Sequence, residues 1–218
     1  MKLAFRDTGP RTGVPVVLLH ALGSESGTWD DFVARLTSGG RRVLAVDLRG
    51  HGDSAHTEKY SLEAMADDVA DLLGERADLV GHSMGGRVAV LLAQRLPGRI
   101  RRLVVEDTPP PPTSMKEPLS PTVEPPEPLP FDWRLIDPIM AELRTPDPAW
   151  WERLTAITAP TLLVGGGPSS HVTRESLERM CGLIPDCRLM TIEDAGHRVH
   201  STKPEEFAAV AGEFLGTA

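Results

Sequence analysis

Residues 79–88 read LVGHSMGGRV, and within them Ser83 stands between Gly81 and Gly85 at two-residue spacing. The apolar run Ala77 to Val80 before it reads as a strand. The stretch from Gly86 to Leu96 after it reads as a helix that stops at Pro97. In that setting a G-x-S-x-G pentapeptide makes a sharp strand-to-helix turn that lifts the serine hydroxyl over the sheet edge. The glycines remove side chains that would clash in such a turn. Ser83 is therefore a candidate nucleophile. A serine hydroxyl is weak by itself and needs a base and an orienting acid, so the rest of the chain has to supply both.

Outward from this turn, short apolar runs alternate with helical patterns. Strands are expected at 15–19, 42–48, 77–80, 100–107, 160–164 and 188–192. Helices are expected at 29–36, 61–73, 86–96, 173–183 and 204–215, with Ser61 as an N-cap. Such alternation implies an α/β fold, a mostly parallel sheet covered by helices on both faces. One segment breaks the rhythm. Thr108 to Pro130 holds ten of the chain's 20 prolines, and neither a helix nor a central strand tolerates that density. Helical spacing returns at Trp133 to Leu143 and at Ala149 to Leu154. The reading is a core of residues 1–107 and 160–218 interrupted by a short proline-rich lid, 108–159.

The chain has 218 residues, which suits one domain with an insertion. A net charge of −8 argues against general attraction to nucleic acid or anionic membranes. No run approaches the length of a membrane span. The start, MKLAFRDTGPRTG, lacks the apolar run of a signal peptide, so a cytoplasmic location is expected. Cys181 and Cys187 lie six apart without a ligand pattern, and two free thiols are expected, with a disulfide or a metal site as the alternative. Oligomeric state is left open.

The oxyanion formed by attack on a carbonyl needs donors. The amide of Met84, next after the serine, is one. The loop after VVLLH supplies a second, and Leu22, flanked by the small Ala21 and Gly23, is the choice. Of the seven histidines, at 20, 51, 56, 82, 171, 197 and 200, His197 stands in a short loop directly after the last strand. A metal pair of His197 and His200 has no third ligand in the sequence pattern. His20, His51 and His82 are read as packing and hydrogen-bonding groups around the turn, and RGHGDS (49–54) as a structural loop.

VVLLHALGS (16–24), VDLRGHGDS (46–54), LVGHSMGGRVA (79–89) and DAGHRVH (194–200) resemble, in order and spacing, the α/β-hydrolase fold superfamily, from about Leu3 to Leu215. Ala21 replaces the glycine that commonly follows His20 there. The resemblance implies the hydrolase sheet with a lid where the proline-rich insertion falls, and His197 as general base. It also implies an acid after PTLLV (160–164), but Gly165 to Val172 contains no carboxylate and Ser169 holds that position. In some relatives, including haloalkane dehalogenases, the acid comes from the end of the preceding strand, here VVEDTPP. Asp107 aligns with that place and Glu106 is its neighbour. Strand alternation sends the two to opposite sides of the sheet unless the chain bends, so Asp107, Glu106 and no carboxylate all stay open, with Asp107 preferred.

Ser83, His197 and Asp107 with the Leu22 and Met84 amides would perform acyl transfer through an acyl-enzyme. A small-molecule substrate is expected: a small, rather apolar carboxylic ester or lactone, with no cofactor and no metal. Trp133, Ile139, Met140 and Leu143 are the candidate substrate-binding residues, against the alternative that they pack the lid onto the core. No basic cluster in the insertion suggests a phosphate or coenzyme A handle. The fold also hosts non-hydrolytic perhydrolase-like and cyclase-like enzymes and small-molecule receptors.

Overall fold

The computed structural model describes residues 1–115, 117 and 119–216. Lys116 and Pro118, inside the expected insertion, and Thr217 and Ala218 at the end of the expected core lie outside the described residues. Seven strands form one sheet: β1 (Phe5–Thr8), β2 (Val16–Leu19), β3 (Val43–Val46), β4 (Ala77–His82), β5 (Ile100–Glu106), β6 (Thr161–Gly165) and β7 (Cys187–Thr191). Their order is β1-β3-β2-β4-β5-β6-β7. Only β1 runs antiparallel to its neighbour. This edge strand, FRDT, is mostly exposed, which is why no apolar run announces it.

The helices are α1 (Asp30–Ser38), α2 (Leu62–Ala70), α3 (Met84–Arg95), α4 (Ile136–Arg144), α5 (Pro148–Glu152), α6 (Arg174–Leu183), α7 (Val199–Thr202) and α8 (Pro204–Leu215). Ser61 caps α2 by accepting from the Ala64 amide at 3.1 Å, satisfying one donor that a helix start leaves unpaired. The fully buried central strands alternate between two cores. Val17 and Leu19 of β2 join Leu44 and Val46 of β3 under α2 and α3. Val16 and Leu18 join Val43 and Ala45 under Trp29, Phe32 and Leu36 on one side of that layer and Phe207, Ala211 and Leu215 of α8 on the other. Helices thus cover both faces, as the period-two pattern of the strands requires.

Between β5 and β6 the chain leaves the sheet. Leu135, Ile139, Trp150, Trp151, Leu154 and Ile157 from this segment join the α2/α3 core. Polar contacts tie it further: Tyr60 donates to Asp132 at 2.6 Å, the Leu62 amide to Glu142 at 2.8 Å, and Gln94 to the Trp150 carbonyl at 2.9 Å. The prolines replace helical hydrogen bonds with contacts to neighbours, such as the Gly52 amide donating to the Pro130 carbonyl at 2.7 Å and the Trp151 indole to the Pro111 carbonyl at 3.1 Å.

One expectation is corrected. Cys181 and Cys187 are a disulfide, not two free thiols. The turn between α6 and β7 doubles back, so the two Cα atoms come within 5.4 Å, a separation that a disulfide bridges. Spacing in the chain does not reveal that reversal. No helix among the described residues is long and apolar enough to cross a membrane.

Candidate active site

Ser83 sits between β4 and α3 with φ 53° and ψ −115°. A non-glycine residue in that region is strained, and its surroundings hold it there. A Cβ on Gly85 would overlap the carbonyls of Leu19 and His20, and one on Gly81 would press on the Gly85 carbonyl at 2.5 Å. The Ser83 amide donates to the Glu106 carbonyl at 3.0 Å, fastening the turn to the end of β5. Met84 is the first residue of α3, so its amide has no acceptor within the helix. Leu22 lies in the turn after β2 and lines the same cavity as Ser83.

The His197 Nε2 lies 3.0 Å from Ser83 Oγ, and its Nδ1 lies 2.7 Å from Asp107 Oδ2. Because a carboxylate only accepts, this contact places the proton on Nδ1 and turns the Nε2 lone pair toward the serine. Asp107 is fully buried and has φ 38°. Two more donors reach it: the Gly166 amide at 2.9 Å, and the Ser170 hydroxyl, a short contact to Oδ2. The loop that carries no carboxylate therefore hydrogen-bonds one from the neighbouring strand. Ser170 and Gly166 are not among the residues singled out from the sequence; the serine pair in GGGPSSHV, where an acid is expected, was their only signal.

Glu106 has a different partner. Its parity in β5 sends it toward α7 and α8, where His200 Nδ1 donates to it at 2.8 Å and the His200 amide at 2.9 Å. Burial would raise this carboxyl, but the charges of His82 and His200 and the hydrogen bonds from His200 outweigh it and hold it below the usual range. His200 stacks on Trp29 at 4.2 Å and meets the Thr28 hydroxyl at 2.9 Å. His82 donates from Nε2 to the His197 carbonyl at 2.7 Å, and burial depresses its ring to about 4. Ligand atoms of His82, Glu106 and His200 lie within 4.8 Å of one another. Glu106 and His200 bond each other, and His82 and His200 also bond the His197 carbonyl and the Thr28 hydroxyl outside the cluster. His197 and His200 serve separate carboxylates and do not pair.

A cavity of about 560 Å³ opens over Ser83, bordered by Leu22, His82, Met140, Leu143 and His197. Of the four residues expected to bind substrate, Met140 and Leu143 line it. Ile139 and Trp133 do not. Ile139 is fully buried against the core, and Trp133 packs beside the Phe131 ring at 6.1 Å. They share the 133–143 helical stripe with Met140 and Leu143, but only one edge of that stripe meets the cavity. Arg144, His171 and Arg198 also line it, brought together from segments distant in the chain.

A family model described as "Alpha/beta hydrolase family" matches residues 16–210. The chain is similar to the sn-1-specific diacylglycerol lipase ABHD11 of Mus musculus, 32% identical over 253 residues, covering 95% of this chain and 82% of that protein. It is similar to esterase YbfF of Escherichia coli (strain K12), 26% identical, covering 92% of each. Among solved structures it is similar to a hydrolase from Pseudomonas aeruginosa PA01, with a TM-score of 0.82 and 27% identity, covering 98% of this chain and 94% of that one. From these matches, across nearly its whole length, the chain belongs to the alpha/beta hydrolase family.

Proposed function

We propose that the protein is a serine hydrolase that cleaves small carboxylic esters through an acyl-enzyme. The observation that carries this is the chain of contacts Ser83 Oγ, His197 and Asp107, at 3.0 and 2.7 Å, opening into a cavity. The volume of about 560 Å³ suits a small-molecule site. The esterase and lipase names of the relatives agree with this reaction class.

In the proposed cycle Ser83 Oγ attacks the ester carbonyl while His197 Nε2 takes its proton. The amides of Leu22 and Met84 stabilise the oxyanion, each worth about 3 kcal/mol of barrier. Collapse breaks the bond to the alkoxy group, which leaves with the proton from His197. A water then gives its proton to His197 and attacks the acyl-enzyme. The acid departs and Ser83 regains its hydrogen. Asp107 remains a carboxylate throughout, orienting the imidazole and stabilising its cation. Residues 108–159 act as a lid whose Met140 and Leu143 wall the cavity.

Hydrolysis of p-nitrophenyl acetate and butyrate, with Ser83→Ala beside the parent protein, tests the reading. Turnover and labelling by a fluorophosphonate are both expected to vanish in the variant. Absence of Ser83-dependent product and of labelling in the parent overturns it in favour of a binding or receptor role.

A further inference from the structure

Arg144 at the end of α4 and Arg198 just before α7 both line the Ser83 cavity. No Asp or Glu among the described residues lines it. Elsewhere in this acidic chain, arginines are widely ion-paired, as Arg42 is with Asp7, Arg95 with Glu63 and Arg101 with Asp78. Among the described residues, neither Arg144 nor Arg198 has a carboxylate within ion-pair distance. Arg144 donates from Nη2 to the Glu117 carbonyl at 3.0 Å and stands between this cavity and a neighbouring one that Glu117 and Asp137 border. A guanidinium fork matches the two oxygens of a carboxylate. The positive charge here also stands against a chain of net −8, so it is a local feature of the cavity.

We infer that the substrate is an ester bearing a second, free carboxylate, which Arg144 and Arg198 hold while Ser83 attacks the ester carbonyl. This rests on the hydrolase reading and names its substrate class. It replaces the expectation of a rather apolar ester: Met140 and Leu143 wall the cavity, and the two guanidinium groups make it selective for an anion.

Matched pairs differing only in a terminal methyl or carboxylate test this: methyl butyrate against monomethyl succinate, and propyl acetate against 3-acetoxypropanoate, followed by pH-stat at low salt. For at least one pair, kcat/KM for the anionic member is expected to be roughly tenfold or more above the neutral one. That ratio should collapse toward one in Arg144→Gln and in Arg198→Gln, and shrink in high salt. Arg198 is exposed, so its variant keeps the test valid if loss of the Arg144 tie to Glu117 disturbs the lid. Equal or better turnover of the neutral member in both pairs, or a preference that survives both substitutions, overturns the inference. If no ester is turned over in a Ser83-dependent way, the hydrolase reading falls separately. The anion site is then judged by calorimetry of succinate with Ser83→Ala: binding abolished by the arginine substitutions supports it, and no binding overturns it.

Discussion

Asp107 follows the last residue of β5 and takes φ 38°. Strand parity alone offers Glu106 and Asp107 opposite faces, and both outcomes occur: Glu106 keeps its parity and meets His200, while the left-handed turn at Asp107 sends its carboxylate to His197. Replacing Asp107 with Asn removes the acceptor that sets the His197 tautomer. Turnover of a p-nitrophenyl ester is expected to fall by ~10⁴-fold with the circular dichroism spectrum unchanged; near-parental kcat would remove Asp107 from the mechanism. At this scale Ser83 and His197 were legible, because a turn motif and a loop after the last strand are local signals. Asp107 was not separable from Glu106 in sequence, since one backbone dihedral decides between them. Arg144 and Arg198 carried no signal, because 54 residues of chain separate two groups that share a cavity.

At the scale of elements, the close approach of β2 and α3 sets the position of the serine. Gly85, in the first turn of α3, lies against the backbone of Leu19 and His20 at the end of β2. A methyl group there meets carbonyls that cannot swing aside, whereas one on Gly86 meets the Thr108 hydroxyl first, with the Thr108 Cβ at 2.9 Å and the Gly81 carbonyl at 3.1 Å behind it. Gly85→Ala is expected to lower unfolding free energy by about 3 kcal/mol, read as a shifted urea midpoint. Gly86→Ala is expected to cost less, and equal effects would contradict the distinction between a backbone and a side-chain obstacle. Helices and central strands were legible from their periods. The 133–143 stripe was visible too, yet periodicity identifies an apolar face without saying which of its residues faces core and which faces cavity. The structure turns Ile139 to the core and Met140 to the cavity, while Leu143 packs against the core and lines the cavity as well.

Across the whole molecule, three of the buried histidines, His20, His51 and His82, tie the loops at the carboxyl ends of the strands. His20 donates to the Ala21 carbonyl and accepts from the Leu48 amide; His51 donates to the Arg49 carbonyl and accepts from the Gly23 amide. Each pattern is satisfied by a neutral ring. Burial depresses His20 to about 4, His51 to about 3 and His82 to about 4, from an ordinary 6.5. The unfolded chain then binds more protons than the folded one below pH 6.5, so stability rises with pH. The contribution is complete above about pH 6.5 and is lost as pH falls toward 4 and 3. Glu106, held below its ordinary value, adds a further loss only at the acid end of that range. Urea midpoints are expected to fall steadily from pH 7 to pH 4.5, and His51→Asn to flatten the slope. A midpoint independent of pH across that interval would show that these rings are not buried as neutral groups.

The chain's own order of residues determined the α/β alternation, the turn that presents Ser83 and the loop that carries His197, since each arises from patterns spanning a few residues. Tertiary structure alone decided which carboxylate meets His197, that Cys181 reaches Cys187, and that Arg144 and Arg198 share one cavity. Those outcomes depend on a single backbone bend, a reversal of the chain and the docking of distant segments. None of these leaves a local period or spacing to read.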